Sequence, residues 1–405
     1  MDWSVRRFPE GQGIAVGNIV FVSGCTGDVD GAPTPPGVED QVTLALDKAR
    51  RSLEAAGGRM DNIVKTFFLI TSLDDYARVR QTETEYYEKR APQLVTTPPA
   101  ATLMVVPALA RAELLVEYDV IGTVDRRKPN WEVKYFPEFW GGKELAYPHV
   151  PKEHAKFARS QTIGNLVIVS GCQALDHDTV NVETSDFAQQ SRIVLDKIKL
   201  AMDEVGGSLD NVVKTNVFIK DAAMLQRYRE VERAFFFAHA PGLARIPPAS
   251  TVFVMSELPR REFLIEVEAF GVADATVPGW ATRFHPGGAD AASAASAGDL
   301  LFLSGCDGTD ADGTAPDGIE GEVHAALDKV RAALGRAGSS LDKIVKTTLM
   351  LRRLADYPEM RAAEADYYRR HAPALVADPQ ASTFMQLPTI GTGDASFQID
   401  VTAVL

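Results

Sequence analysis

The chain states one pattern three times, and that repetition constrains its fold more than any other feature. Lys65-Thr66, Lys214-Thr215 and Lys346-Thr347 each close the string IVKT, VVKT or IVKT. The spacings, 149 from 65 to 214 and 132 from 214 to 346, hold without a gap far from these residues. Leu46-Asp47-Lys48 falls on Leu195-Asp196-Lys197 and Leu327-Asp328-Lys329. Upstream, Ser23-Gly24-Cys25 returns as Ser170-Gly171-Cys172 and Ser304-Gly305-Cys306 with spacings of 147 and 134, so only the loop after this motif changes length. Chance does not keep such a register. The 405 residues are three copies of one domain-sized unit, more chain than a single core usually supports.

The first copy serves as the template. Ile19–Val22 is a short β-branched run between Gly17-Asn18 and Ser23-Gly24, which predicts a strand. Apolar residues at Val42, Leu44, Ala45, Ala49 and Leu53 predict a helix over Val38–Ala56, stopped by Gly57-Gly58. IVKTFFLI at 63–70 reads as a buried strand, and 73–90 as a second helix with Asp74-Asp75 in its first turn. After Pro98-Pro99, residues 102–106 and 114–121 read as the last strands. With a weak strand near 13–16, the order is β-β-α-β-α-β-β, an α+β unit with both helices on one sheet face. Packing the three copies together buries the other face, with sheets inside and helices outside.

The expected division is repeat 1 over 1–125, an aromatic-rich insert over 126–156, repeat 2 over 157–273 and repeat 3 over 274–405. The insert carries Trp131, Tyr135, Phe136, Phe139, Trp140 and Tyr147, whereas a plain linker is polar. Two readings stand, a strap covering a sheet edge and a lid over one cleft.

At −13 the formal charge gives no global attraction to a phosphate backbone, so no nucleic-acid partner is expected. No apolar run has the length of a membrane span, and the first residues lack an apolar signal core, so a cytoplasmic protein is expected, off the membrane. The three cysteines do not form a disulfide framework, and Cys and His show no metal-ligand spacing. No metal and no cofactor are expected.

Gly-Asn-x-x-x-x-Ser-Gly, then Leu-Asp-Lys, then Asp-Asn-Ile-Val-Lys-Thr, then a Tyr-Tyr or Phe-Phe helix and a Pro-Pro strand ending Val-Glu-Tyr-Asp: this order resembles the RidA/YjgF/YER057c/UK114 family. The resemblance covers all three copies. It implies a chorismate-mutase-like fold and, since usual members are homotrimers with clefts between subunits, an intramolecular pseudo-trimer. It also implies hydrolysis of enamines and imines to keto acids and ammonia. A ring closed within one chain predicts a monomer or weak dimer.

One departure bears on chemistry. The family's carboxylate-binding arginine falls on Ala100, Ala249 and Ala381, or one residue on at Ala101, Ser250 and Ser382, and neither register restores an arginine. A methyl or hydroxyl cannot make the bidentate contact of a guanidinium. The family carboxylate that positions water falls on Glu117, Glu266 and Gln398, and a glutamine cannot take a proton from that water. Glu117 and Glu266 are thus the candidate catalytic residues, unless they are only the exposed members of an alternating strand. On the second helix, Arg80, Arg229 and Arg361 replace the family's asparagine, either as solvated arginines or as relocated anion-binding groups. Ser23, Gly24, Ser170, Gly171, Ser304 and Gly305 are expected to line the clefts, with Thr102, Thr251 and Thr383 and the glutamine Gln398 beside them. Cys25, Cys172 and Cys306 stand next to these motifs as buried thiols, nucleophiles or redox-sensitive groups.

Two functions compete. The first is a small-molecule enzyme acting on a C–N bond by imine, enamine, amide or ring hydrolysis, or a tautomerase, on a substrate with an anionic group that is not simple 2-aminoacrylate. The second is an inactive metabolite-binding or scaffold protein. RNA cleavage is weak on charge.

Overall fold

The computed structural model describes residues 1–8, 13–29, 31–140, 143–144, 157–175, 181–182, 184–288, 290–310, 312–391 and 393–405. The unit is α+β. In repeat 1 the sheet order is Val5–Phe8, Gly13–Val16, Ile19–Val22, Val116–Thr123, Ile63–Ile70, Ala100–Val105. All neighbours are antiparallel except Ile63–Ile70 and Ala100–Val105, which are parallel and joined through the Tyr76–Arg90 helix. The Val38–Ala55 helix lays Val42, Ala45, Leu46, Ala49 and Leu53 on the outer sheet face, as its period predicts.

Each unit opens with a strand that the sequence does not suggest. Val5–Phe8, Val133–Pro137 and Thr282–His285 each pair with the strand that follows. Polar and strand-breaking residues hide them: VRRF carries two arginines, and VKYFP a lysine and a closing proline. Val133–Pro137 lies in the segment assigned to the insert, yet it pairs with Ala158–Ile163 as the opening strand of repeat 2. It therefore extends a sheet edge. Tyr147 and most of the remaining insert lie outside the described residues.

The inner sheet faces meet in shared cores. One joins Phe21, Val64, Ile168, Val213, Phe302 and Val345, drawing on all three repeats. Ahead of each opening strand stands a tryptophan, and Trp3, Trp131 and Trp280 meet edge to face with centroids 5.0, 5.0 and 5.4 Å apart. Each indole covers a turn glycine of the preceding repeat in the ring: Trp131 lies over Gly17, Trp280 over Gly164 and Trp3 over Gly298. All three glycines have φ near +60°, so a side chain there meets both backbone strain and an indole.

The IVKT lysines explain the repeat's most persistent motif. Lys65 of repeat 1 meets Glu268 of repeat 2 at 2.6 Å, Lys214 of repeat 2 meets Asp400 of repeat 3, and Lys346 of repeat 3 meets Asp119 of repeat 1 at 2.7 Å. These buried pairs run head to tail and close the ring. The lysines and carboxylates also line a central cavity of about 70 Å³, room for a small water cluster.

Candidate functional site

The clefts lie at the three junctions, and each is built by two repeats. The following repeat supplies Ser-Gly and the Glu or Gln; the preceding one supplies the helix arginine and the start of its last parallel strand. Serine is the clasp. The Ser23 hydroxyl accepts from the Ser382 N–H at 3.2 Å, Ser170 from Ala101 at 2.9 Å and Ser304 from Ser250 at 2.8 Å. Glycine makes room, because the Glu117, Glu266 and Gln398 side chains occupy the positions a Cβ would take at Gly24, Gly171 and Gly305. The glycine amides are not free donors: Gly24 N–H bonds the Ser382 carbonyl, Gly305 that of Ser250, and Gly171 the Thr102 hydroxyl.

Several expected site residues serve the ring instead. Thr102, Thr251 and Thr383 are buried, bonded to Lys65, Lys214 and Lys346 and to the carboxylates those lysines meet. They hold the interface rather than substrate. Cys25, Cys172 and Cys306 face the helix-side cores, since strand alternation turns them opposite to the glycines. Burial pushes each thiol up to about 12, which disfavours a thiolate nucleophile.

The junctions differ in their arginines. Arg80 and Arg229 have side chains only 8% and 7% exposed and pair with Glu83 and Glu232 at 2.6 Å. Arg229 also donates to Ser250 at 2.9 Å. Both are buried against a carboxylate of their own helix. Arg361 also pairs, with Glu364 at 2.5 Å, but its side chain is 43% exposed and lines an open cleft.

That cleft, between repeats 3 and 1, holds about 580 Å³ and is lined by Ser23, Gly24 and Glu117 on one side and Arg361, Tyr357, Ser382 and Phe384 on the other. By contrast, the space beside Arg80, Tyr76 and Phe157 at the junction of repeats 1 and 2 is about 30 Å³. Glu117 and Glu266 are both buried, so neither is an exposed strand residue. Burial pushes each carboxyl up to about 8. The Phe384 N–H, 3.4 Å from Glu117 Oε1, and Lys346 oppose that rise without cancelling it. That rise favours the protonated form of the Glu117 carboxyl near neutral pH.

Sequence reasoning missed two groups. Tyr76 and Tyr357 stand at equivalent positions, and each feels both its own repeat's arginine and the next repeat's glutamate. Repeat 2 has Leu225 there, and the junction it feeds carries Gln398. Tyrosine thus accompanies glutamate at the two junctions that carry one, a correlation visible only once the ring order is known. Phe384 is the other omission, where repeats 1 and 2 have Leu103 and Val252. Among the described residues no group of His, Cys, Asp and Glu is arranged to hold a metal ion, and no helix is long and apolar enough to cross a membrane.

The family model described as Endoribonuclease L-PSP matches residues 7–124, 148–273 and 289–404. A RutC family protein of Pyrococcus abyssi is 30% identical over 128 residues, 31% of this chain and 94% of its own. A 2-iminobutanoate/2-iminopropanoate deaminase of Escherichia coli is 32% identical over 130 residues, 32% of this chain and 97% of its own. Among solved structures, a putative endoribonuclease of Thermotoga maritima is 27% identical with a TM-score of 0.28, covering 34% of this chain and 97% of its own. A YjgF family member of Neisseria meningitidis is 19% identical with a TM-score of 0.27, covering 31% and 96%.

Proposed function

Since the chain belongs to the Endoribonuclease L-PSP family, also called RidA/YjgF, in three consecutive copies, we propose that it is a small-molecule enzyme acting on a C–N bond in the cleft between repeats 3 and 1. The observation that carries this reading is the meeting of a buried Glu117 and a half-exposed Arg361 across one open cleft.

Arg361 takes the anionic group that the missing strand arginine holds elsewhere in the family. Glu117 hands its proton to the imine nitrogen, and the resulting carboxylate takes a proton from the attacking water as the oxygen bonds to carbon. The reprotonated Glu117 then gives its proton to the amine nitrogen and takes the hydroxyl proton as the C–N bond breaks, so imine plus water gives ketone plus ammonia. Burial matters twice here, since it favours the protonated acid and strengthens its field on the reacting atoms. Ribonuclease action is not proposed, because the net charge of −13 opposes a polyanion.

The test supplies imines generated in place from L-amino acids by an amino-acid oxidase and follows ammonia release. Acceleration by the wild type that disappears in Glu117→Gln supports the enzyme. The second reading, a metabolite-binding scaffold, is favoured by the lack of an arginine at Ala100, Ala249 and Ala381 and, one residue on, at Ala101, Ser250 and Ser382. It predicts ligand binding without acceleration in either protein.

A further inference from the structure

The open cleft is distinguished by size and aromaticity as well as by its charged pair. Tyr357 and Phe384 form an edge-to-face corner, centroids 4.6 Å apart at 68°. Phe384 is the residue whose N–H reaches Glu117, and Tyr357 feels both Arg361 and Glu117, so this corner adjoins the proposed chemistry. The same positions hold Tyr76 with Leu103 at the junction of repeats 1 and 2, and Leu225 with Val252 at that of repeats 2 and 3. Of the three copies, only repeat 3 carries an aromatic residue at both positions. Phe8, half-buried, adds a further ring from repeat 1, with Ile14 and Leu114 beside it.

Volume points the same way. At about 580 Å³ the cleft lies in the range of drug-sized ligand pockets. The substrate in the E. coli relative's name, 2-iminobutanoate, is a far smaller molecule that leaves most of this space to water. The lining is mixed, with Asp28, Arg111 and Asp378 among its polar groups, and its aromatic corner favours a group of matching character.

We infer that the cleft selects anions carrying an aromatic ring, with Phe384 and Tyr357 as the residues that read the ring while Arg361 holds the anion. This rests on the reading of that cleft as an anion-binding active site. Pyruvate and phenylpyruvate are the probes, since they share the keto-acid head and differ by one phenyl group. Titration calorimetry on the full chain is expected to show phenylpyruvate binding at least tenfold tighter than pyruvate. In Phe384→Leu, which installs the repeat 1 residue, the preference is expected to fall below threefold with pyruvate affinity unchanged. Equal affinity for the two anions in the wild type, or a preference that survives in Phe384→Leu, overturns the aromatic selection while leaving the anion site standing. If neither anion binds, or if Arg361→Met leaves both affinities unchanged, the underlying reading fails and takes this one with it. Circular dichroism and thermal melting of each variant separate a folding defect from a loss of recognition, and Tyr357→Leu gives an independent second removal of the corner.

Discussion

Arg361 of the third repeat and Glu117 of the first line the same cleft, while Arg80, in Glu117's own repeat, is buried against Glu83. The site is therefore made by the closing of the ring and not within any one copy. That arrangement makes the three junctions separable by mutation.

Glu117→Gln is expected to lower kcat/KM by about 10²–10⁴-fold, the usual worth of a positioned acid–base group. Glu266→Gln is expected to leave it within threefold, because the space beside Arg80 at that junction is about 30 Å³. Steady-state ammonia release by the two variants decides the point.

Activity is expected to fall as pH rises through about 8, since the proton on Glu117 is then lost. Stability carries a related signature through Glu266, whose folded pKa is raised to about 8. Between its ordinary value of 4.5 and about 8, the folded chain holds a proton that the unfolded chain releases, so this group's contribution declines with rising pH. Glu266→Gln removes that slope and is expected to stabilise the protein at pH 8 by on the order of 1–3 kcal/mol, with little gain at pH 5. Urea denaturation at the two pH values measures it.

Arginine replacements divide by exposure. Arg361→Met is expected to raise KM with the fold intact, because the side chain is 43% exposed. Arg80→Met leaves the buried Glu83 carboxylate uncompensated and is expected to destabilise by about 3–5 kcal/mol. Comparing KM with the denaturation midpoint for each variant distinguishes the two outcomes.

The ring itself is tested at Lys214, which is buried and bonded to Thr251 at 2.7 Å and to Asp400 of repeat 3. Lys214→Met is expected to destabilise by about 3–5 kcal/mol, and adding Asp400→Leu to recover most of that, since removing both charges leaves no unpaired one.

Much of the unit was legible because its elements follow strong local patterns. Ile19–Val22 and Ile63–Ile70 are β-branched runs, and the Val38–Ala55 helix keeps its period. The opening strands were hidden by their arginines and lysines, as Val5–Phe8 shows. Among site residues, Glu117, Ser23, Gly24 and Arg361 were all legible, but their grouping was not. Register aligns like with like, whereas the ring sets Arg361 against the glutamate of the next copy. For the same reason the lysine of IVKT stands out in sequence without revealing its role, because its partner lies two residues past the glutamate in a different repeat.

The most direct test is a crystal structure of the full chain soaked with phenylpyruvate. We expect ligand only between repeats 3 and 1, its carboxylate on Arg361, its keto carbon facing Glu117 and its ring against Tyr357 and Phe384. Equal occupancy of all three junctions, or ligand at the Glu266 junction with the Glu117 cleft empty, would contradict a single working site.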